Sequence, residues 1–409
     1  MGSNRHLASE FIVTRQPPPW FSLSADSLIG ERNYLYRQTC FAGTSKAIIS
    51  SRLKHPLYHQ RSWFAALNQS LNRAQANRQL ILTTPHTTTD EFIKARQVVC
   101  RFKLGHITCC IEPSQWENAL ANPKRYLCTP FDTVVGPTQK GNTAYLPVRN
   151  AGAFRDQMLI ACSPWIDILQ IHKQGTLAKL LPFKSASQIR YVSLPHITPE
   201  PTLPNITHPQ PWPVLPDWIH NQRYVAHWTR GCDGAWPGET REQWINQLID
   251  NDPQADHSAL RTLHRIIQSE CLYSSAQTIR GGFPMTCFTR VPINQWSSRH
   301  VYRSHLRRWD FCPYGLAIKR DWIQGQGLAP VRYGSDNQWE LLAANERPYF
   351  QTTGGSINWR VEQEERIAGN LDLRSSQSTD IVFFTSLAKE AVWLQAASRW
   401  PVVPVDQFS

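Results

Sequence analysis

The segment Trp359-Arg360-Val361-Glu362-Gln363-Glu364-Glu365-Arg366 places two carboxylates two positions apart near the end of a chain of 409 residues. A strand over 357–364 would direct Glu362 and Glu364 to the same face, because alternate side chains of a strand share a face. Like charges held that close raise each other's pKa. Two interpretations are open: the pair lies on a solvated strand edge, or it belongs to a site that uses the raised pKa.

Length and composition indicate a globular protein of two or three domains, since 41% of the residues are hydrophobic and can form several cores. The formal net charge of +12 favours a polyanionic partner or a phosphate-bearing ligand. No apolar run reaches the roughly 18 residues of a membrane span. Residues 1–19 lack the apolar core of a signal peptide. We therefore expect a cytoplasmic protein without a membrane partner.

The ten cysteines do not include a Cys-x-x-Cys pair that would begin a zinc site. The sequence therefore predicts no structural metal. In a large chain without a secretory signal, such cysteines are typically reduced thiols, which again indicates the cytoplasm.

Strand and helix patterns alternate in the first third of the chain. Strands are predicted over 38–42, 79–83, 105–111 and 166–171, with helices over 63–76 and 90–99. This alternation is typical of a parallel α/β sheet that binds ligands at the carboxyl ends of its strands.

Three loop segments of this region carry groups that suit a phosphate. Gly43 would let the backbone approach it, and the hydroxyls of Thr44, Ser45, Thr87 and Thr88 would hold it at helix starts. An arginine and an aspartate follow in the third segment, at Arg155 and Asp156, and the guanidinium would pair with the phosphate. The alternative for Gly43-Thr44-Ser45 is an ordinary turn.

The order of these parts, with Gly43-Thr44-Ser45 first, then 82–89 and then 155–163, resembles Rossmann-like SLOG domains of the DprA and LOG type. The resemblance covers about residues 35–182. It implies a domain that binds a small nucleotide or a nucleotide-derived signal through the loops named above. The chain lacks the Gly-rich run that those proteins often carry near the second loop.

A proline-rich stretch divides the chain, with eight prolines between positions 195 and 216. Such a density prevents helix formation and gives a semi-rigid spacer. We predict an N-terminal extension over 1–34, a Rossmann-like domain over 35–192, a linker over 193–218 and a second domain over 219–409.

The second domain is predicted to be α+β. The segment 224–231 alternates as a strand does, and 279–289 is predicted to pass from a Gly-rich turn into a strand. Further strands are predicted over 314–318, 329–333, 357–364 and 380–384, and helices over 240–249, 258–270, 319–324 and 387–397. Strands dominate without a strict alternation with helices, which is the α+β pattern.

The order of parts in this half resembles ADP-ribosyltransferase-like domains of the bacterial toxin and phage-defence type, over about residues 222–405. The motifs are His227-Trp228-Thr229, Pro284-Met285-Thr286-Cys287-Phe288 and Arg360-Val361-Glu362-Gln363-Glu364-Glu365-Arg366. Glu365 stands where an aromatic residue is more usual, which puts in doubt which carboxylate is catalytic.

The resemblance implies NAD as the substrate. Breaking the bond between nicotinamide and ribose develops positive charge on the ribose, which Glu364 would stabilise. Glu362 would position or deprotonate the acceptor. His227 and Thr229 would hold a ribose hydroxyl and the carboxamide.

The middle strand would add Phe288 and Thr289 to the same NAD site, and Arg280, beside Gly281-Gly282, would meet the pyrophosphate. Two alternatives remain open here. The alternative for His227 is a histidine packed within its strand. The alternative for Arg280 is a surface arginine at a turn.

Two function classes follow. The first is an enzyme in which a nucleotide signal at the N-terminal domain controls cleavage of NAD or transfer of ADP-ribose, as in a toxin or an antiviral defence effector. The acceptor would be a protein, a nucleic acid or water, and a homo-oligomer is compatible with this class. The second is a non-catalytic nucleotide or nucleic-acid binder of the DNA-processing type, which the positive charge and many aromatic residues favour.

Overall fold

The computed structural model describes residues 10–22, 29–138, 151–192, 203, 211–303, 308–353 and 358–408. The described residues form two compact units. Unit 1 comprises those of Met1–Pro199 and Glu239–Ala255, and unit 2 comprises those of Glu200–Gly238 and Asp256–Ser409. Most of the predicted linker over 193–218 lies outside the described residues.

The strands are numbered in chain order. Those of unit 1 are β1 (Phe11–Thr14), β2 (Asn33–Arg37), β3 (Ser45–Ser50), β4 (Leu80–Thr83), β5 (Leu104–Cys109), β6 (Thr133–Gly136), β7 (Trp165–Gln170) and β8 (Ile189–Tyr191). Those of unit 2 are β9 (Tyr224–Trp228), β10 (Cys271–Leu272), β11 (Met285–Thr289), β12 (Val301–Arg303), β13 (Arg308–Asp310), β14 (Gly315–Lys319), β15 (Ala329–Pro330), β16 (Arg332–Gly334), β17 (Phe350–Thr352), β18 (Glu364–Ala368), β19 (Leu371–Asp372), β20 (Ile381–Thr385) and β21 (Val402–Pro404).

The helices are numbered in the same way. They are α1 (Arg61–Ala76), α2 (Asp90–Cys100), α3 (Pro113–Ala121), α4 (Pro123–Tyr126), α5 (Ala151–Cys162), α6 (Thr176–Leu180), α7 (Asp217–His220), α8 (Arg241–Asp250), α9 (Ala259–Ser269), α10 (Trp296–Arg299), α11 (Arg320–Gln324), α12 (Asp336–Glu340) and α13 (Ala388–Gln395). Within the part of the chain that the structure describes, none of them combines the length and the apolar character needed to cross a bilayer.

Unit 1 is built on an eight-stranded sheet with the order β1-β2-β6-β5-β4-β3-β7-β8. In this order, the neighbouring strands β6, β5, β4, β3, β7 and β8 run parallel to one another. Strand β2 pairs antiparallel with β6 on one side and with β1 on the other. The predicted α/β alternation is thus confirmed. The strand predicted over 38–42 is wrong, because β2 ends at Arg37 and β3 begins at Ser45.

The predicted N-terminal extension over 1–34 contributes to this sheet. Residues Phe11–Thr14 pair with β2, and β2 itself contains the expected boundary at residue 35. Trp20 is 1% exposed and meets Tyr36 edge to face at 5.5 Å. The described residues of this segment therefore belong to unit 1, where Trp20 is part of the core.

Helix α8 belongs to unit 1, whereas its sequence position predicted the second domain. Thr240 caps the helix by accepting a hydrogen bond from the Gln243 backbone N–H at 3.1 Å. Its apolar face, including the fully buried Trp244, packs against α1 and α2. Asp250 forms an ion pair with Arg96 of α2 at 2.6 Å. The sequence could not predict this placement, because an amphipathic helix does not specify which core covers it.

A buried charge cluster joins β3 to β7, the two strands at which the strand order of unit 1 reverses. The Lys46 ammonium, 2% exposed, donates to the Asp167 carboxylate at 2.5 Å. Ser70 and Arg190 donate to the same carboxylate. Burial lowers the pKa of Lys46, and the Asp167 charge opposes that shift. Asp167 therefore holds three donors at the centre of the sheet.

Unit 2 is built on a seven-stranded sheet with the order β15-β18-β11-β9-β14-β20-β21. All neighbours are antiparallel except β20 and β21. Gly315 begins β14 where a Cβ atom would stand 2.2 Å from the His227 carbonyl oxygen. Only glycine lets β14 pass this close to β9, so Gly315 supports the strand that carries His227.

Asp167→Asn is expected to destabilise the protein by about 3–5 kcal/mol, because it leaves the buried Lys46 without its anion. Urea denaturation measures the loss. Asp372→Asn is the matched control, since Asp372 and its partner Arg374 are 62% and 70% exposed. Its effect should stay below about 1 kcal/mol. Equal losses in the two variants would contradict the role given to Asp167.

Candidate active site

Unit 2 contains a cavity whose volume is about 380 Å³, within the roughly 300–1,000 Å³ that is usual for small-molecule sites. Strands β9, β11 and β18 form much of its wall. Its polar lining consists of His227, Arg230, Gln277, Thr278, Cys287, Thr289, Asp310, Gln351, Glu362, Glu364 and Arg366. The cavity therefore brings together residues from four parts of the sequence, 226–230, 277–289, 310–311 and 351–366.

The cavity forms where the central strands of the sheet separate. Among the described residues, β9 and β11 pair at a single position, Ala226 opposite Thr289. On its other side β11 pairs with β18 along its whole length, and Thr289 lies opposite Glu364. The gap between β9 and β11 leaves room for a ligand, while the pairing with β18 fixes the start of the carboxylate strand.

His227 lines this gap and bonds across it. Its Nδ1 lies 2.9 Å from the Cys287 carbonyl oxygen, and a carbonyl only accepts, so Nδ1 carries the proton. Burial lowers the pKa of His227 to about 4, although the bond to Cys287 opposes that shift. At neutral pH the imidazole is uncharged, and its Nε2 is a hydrogen-bond acceptor. A substrate hydroxyl suits such a group.

The strand predicted over 357–364 is wrong within the described residues. Trp359–Glu362 is a 3-10 helix, Gln363 has a φ of 45°, and β18 begins only at Glu364. The Asn358 side chain accepts from the Arg360 backbone N–H at 3.2 Å, and asparagine commonly favours such local turns over a strand. Glu362 and Glu364 nevertheless line the same cavity, because the chain turns between them.

Glu364 is held by a two-pronged ion pair. Its carboxylate oxygens accept from Nε and Nη2 of Arg366 at 2.9 and 3.0 Å. Arg366 is 1% exposed and also donates to the Pro348 carbonyl at 2.8 Å. This fork fixes the orientation of the carboxylate in the cavity wall.

Cys287 also lines the cavity. Burial raises the pKa of the Cys287 thiol to about 12, and the Glu364 charge adds to the effect. Cys287 is therefore protonated at neutral pH and is not a nucleophile.

Glu362 has a different environment. Burial raises its pKa to about 7, and the charges of Glu364 and Asp310 add to the shift. Its backbone carbonyl accepts from the Thr289 hydroxyl, which ties the 3-10 helix to β11. A carboxyl with a pKa near neutrality can both accept and return a proton.

Glu365 is not part of the cavity lining. It is 2% exposed, and its carboxylate accepts from Arg320 at 3.0 and 2.8 Å. Successive residues of a strand point to opposite faces, so Glu365 points away from Glu364. Glu365, which stands where an aromatic residue is more usual, is thus buried and ion-paired with Arg320.

Of the four further residues expected at the NAD site, Phe288 and Thr289 line the cavity, but Thr229 and Arg280 do not. Thr229 is 2% exposed, and its hydroxyl has no hydrogen-bond partner among the residues that the structure describes. Arg280 donates to the carboxylate of Asp336 in α12 and to the Thr352 hydroxyl at 3.1 Å. The Arg280 guanidinium, which we expected at a pyrophosphate, is thus ion-paired with Asp336 of α12.

Several lining residues were not predicted from the sequence. Arg230 directly follows Thr229 and lies 3.7 Å from the Asp310 carboxylate. Phe311 and Trp359 add aromatic surface. Arg230 could have been found as a cation at the end of β9, but nothing in the sequence signals that Asp310 and Phe311 lie near His227.

The loops predicted to bind a phosphate in unit 1 do not converge. In the parallel pair of β3 and β4, Ser45 lies opposite Leu80 at the amino ends of the strands. Gly43 and Thr44 precede that point, whereas Thr87 and Thr88 follow the carboxyl end of β4. The predicted joint site is therefore wrong. The reason is that Gly43-Thr44-Ser45 enters a strand instead of leaving one.

The other two predicted segments do meet at the carboxyl edge. Arg155 donates to the Pro85 carbonyl at 2.9 Å, in the loop that contains Thr87 and Thr88. Burial raises the pKa of Asp156 to about 6, although the Arg155 charge opposes the shift. Thr87 uses its hydroxyl locally, donating to the Thr84 carbonyl at 2.9 Å.

No model of a protein family matches the chain, and no curated protein or solved structure matches it either. Among the described residues there is no group of three or more His, Cys, Asp or Glu side chains that could hold a metal ion. The chemistry of the cavity must be argued from its own side chains.

The raised pKa of Glu362 predicts how stability depends on pH. The ordinary pKa is 4.5 and the folded value is about 7, so stability from the neutral form is present below pH 4.5 and is lost as pH rises through 7. Glu362→Gln cannot ionise. As the pH rises from about 5 to about 8, the free energy of unfolding of the variant should therefore increase by about 1–3 kcal/mol relative to that of the wild type.

Urea denaturation at the two pH values measures this difference. Glu117→Gln is the control, because Glu117 is exposed on α3, and its difference from the wild type should not change with pH. A Glu362→Gln difference that is equally flat would show that Glu362 titrates normally.

Proposed function

We propose that unit 2 is an ADP-ribosyltransferase-like catalytic unit that cleaves the nicotinamide–ribose bond of NAD. The observation that carries the proposal is that an uncharged histidine, His227, and an ion-paired carboxylate, Glu364, line one cavity on strands separated by β11. A hydrogen-bond acceptor and a fixed negative charge are the two groups that a ribose needs when it becomes cationic.

The bond-breaking step places the electron pair of the ribose–nitrogen bond on nicotinamide, which leaves as a neutral base. The ribose then carries oxocarbenium-like charge. Glu364, oriented by the two hydrogen bonds from Arg366, lies in the cavity wall where it would stabilise that charge. Because its orientation is set by these contacts before the reaction, little reorganisation is needed at the transition state.

The acceptor step needs a base. The acceptor attacks the anomeric carbon and loses a proton, and Glu362 is the carboxyl whose pKa, about 7, suits that transfer. Water as the acceptor gives hydrolysis of NAD, and another nucleophile gives ADP-ribose transfer. Arg230 supplies a cation for the pyrophosphate in place of Arg280, and Phe311 and Trp359 supply surfaces for the nicotinamide ring.

We further propose that unit 1 is a Rossmann-like regulatory unit that binds a small nucleotide at the carboxyl edge of its sheet. Arg155, Thr88 and the loop around Thr87 support this, since Arg155 meets that loop beyond the carboxyl end of β4. A signal there would control consumption of NAD, as suits a cytoplasmic toxin or an antiviral defence effector.

Glu364→Gln is expected to reduce nicotinamide release from NAD by about a hundredfold or more, because the substitution removes the charge but keeps size and hydrogen bonding. Purified wild type and variant are incubated with NAD, alone and with candidate cyclic nucleotides, and nicotinamide is followed by chromatography. Glu340→Gln is the control, since Glu340 is 64% exposed outside the cavity. Full activity in Glu364→Gln, or none in the wild type under every condition, would reject the proposal.

His227→Ala should mainly raise the KM for NAD, because the imidazole positions the ribose and supplies no charge. His227→Gln restores a neutral acceptor and should recover part of the affinity. The measurement is a KM and kcat comparison between about pH 6 and pH 8, in which the neutral His227 predicts no ionisation step of its own. A loss confined to kcat would instead assign His227 to the chemical step.

A further inference from the structure

Exposed aromatic side chains lie together on the hairpin β12–β13. Tyr302 is opposite Trp309 in the strand register, and their ring centroids are 5.4 Å apart. They are 49% and 47% exposed. The His300 ring stacks on the Trp309 indole at 4.6 Å with an angle of 9°. We call His300, Tyr302 and Trp309 the aromatic platform.

The same hairpin forms part of the cavity wall. Asp310 directly follows Trp309 in the chain and lines the cavity. Arg303 directly follows Tyr302, and its guanidinium lies 5.8 Å from the ring centroid of Trp359, another lining residue. Side chains alternate along each strand. The hairpin thus directs one set of residues to the cavity and presents the aromatic platform on its other side.

Arg299 and Arg303 flank the aromatic platform in the sequence. The Arg299 guanidinium reaches the Val361 carbonyl beside Glu362 at 3.2 Å, and Arg303 donates to the Asp310 carboxylate at 2.9 Å. Arg290 follows β11, has a side chain 53% exposed and lies 3.9 Å from the Glu365 carboxylate. The chain as a whole carries a formal charge of +12. This combination of stacking surfaces with arginines fits a polyanion that carries exposed bases.

We propose that the aromatic platform binds single-stranded nucleic acid and presents it to the cavity as the acceptor of ADP-ribose. The inference rests on the proposed function for its chemistry, but the binding itself does not require NAD. A base would stack on Trp309 and Tyr302, and Arg299, which is next to His300 in the chain, would contact a phosphate. A nucleophilic oxygen or nitrogen of the strand would bond to the anomeric carbon, nicotinamide would leave, and Glu362 would take the released proton.

The test uses the full chain and a fluorescein-labelled single-stranded oligothymidylate in the absence of NAD. Trp309→Ala should weaken binding, measured by fluorescence anisotropy, by about 5- to 100-fold, and Trp309→Phe by much less. Tyr302→Ala should weaken it in the same direction. Trp165→Ala is the matched control, because Trp165 is a similarly exposed tryptophan of unit 1, at 44%, and it should leave the affinity unchanged.

Nicotinamide release is measured on the same samples, and transfer is followed with NAD labelled on its adenylate. Retained NAD cleavage with lost oligonucleotide binding and lost transfer in Trp309→Ala supports the inference. Wild-type binding without any NAD cleavage would reject the proposed function and leave the platform as a binding surface. Absence of binding in the wild type, equal losses in Trp165→Ala, a raised KM for NAD in Trp309→Ala with unchanged binding, or labelling of protein alone would each overturn it.

Discussion

The candidate site depends on one constraint, the separation of β9 from β11 after the single pair of Ala226 and Thr289. A continuous ladder would fill the space that now forms the cavity. The freed carbonyl of Cys287 would be costly if left unpaired, and the His227 imidazole satisfies it at 2.9 Å. That bond sets the tautomer of the histidine. The separation of β9 from β11 therefore also determines which ring nitrogen of His227 carries the proton.

Glu362 and Glu364 differ because their neighbours differ. Glu364 is held by a buried arginine fork, whereas Glu362 lies near two other carboxyl groups, Glu364 and Asp310. In enzymes with paired carboxyl groups, such a difference in environment divides charge stabilisation from proton transfer. The turn at Gln363, and not strand alternation, brings the pair together. An exposed strand edge would offer neither environment.

Local patterns allowed most elements of the sheets to be predicted, since β4, β5, β7, β11 and β20 have buried apolar runs with clear ends. The predictions failed where a residue is compatible with two local structures. Asn358 caps a 3-10 turn instead of extending a strand, and Gly43 precedes β3 instead of following a strand. The pairing of Arg280 with Asp336 and the approach of Asp310 to Arg230 depend on tertiary contacts, which no spacing in the sequence encodes.

The placement of Glu239–Ala255 in unit 1 means that the chain enters that unit twice. A fragment ending before the proline-rich stretch would leave α1 and α2 without the covering helix, and a fragment starting after it would carry the apolar face of Trp244, Ile245 and Leu248 without a core. Truncation at the apparent sequence boundary would thus expose hydrophobic surface on both products. The two units are separable as compact bodies but not as consecutive pieces of polypeptide, so gene fusion or fragmentation at that boundary would disrupt both.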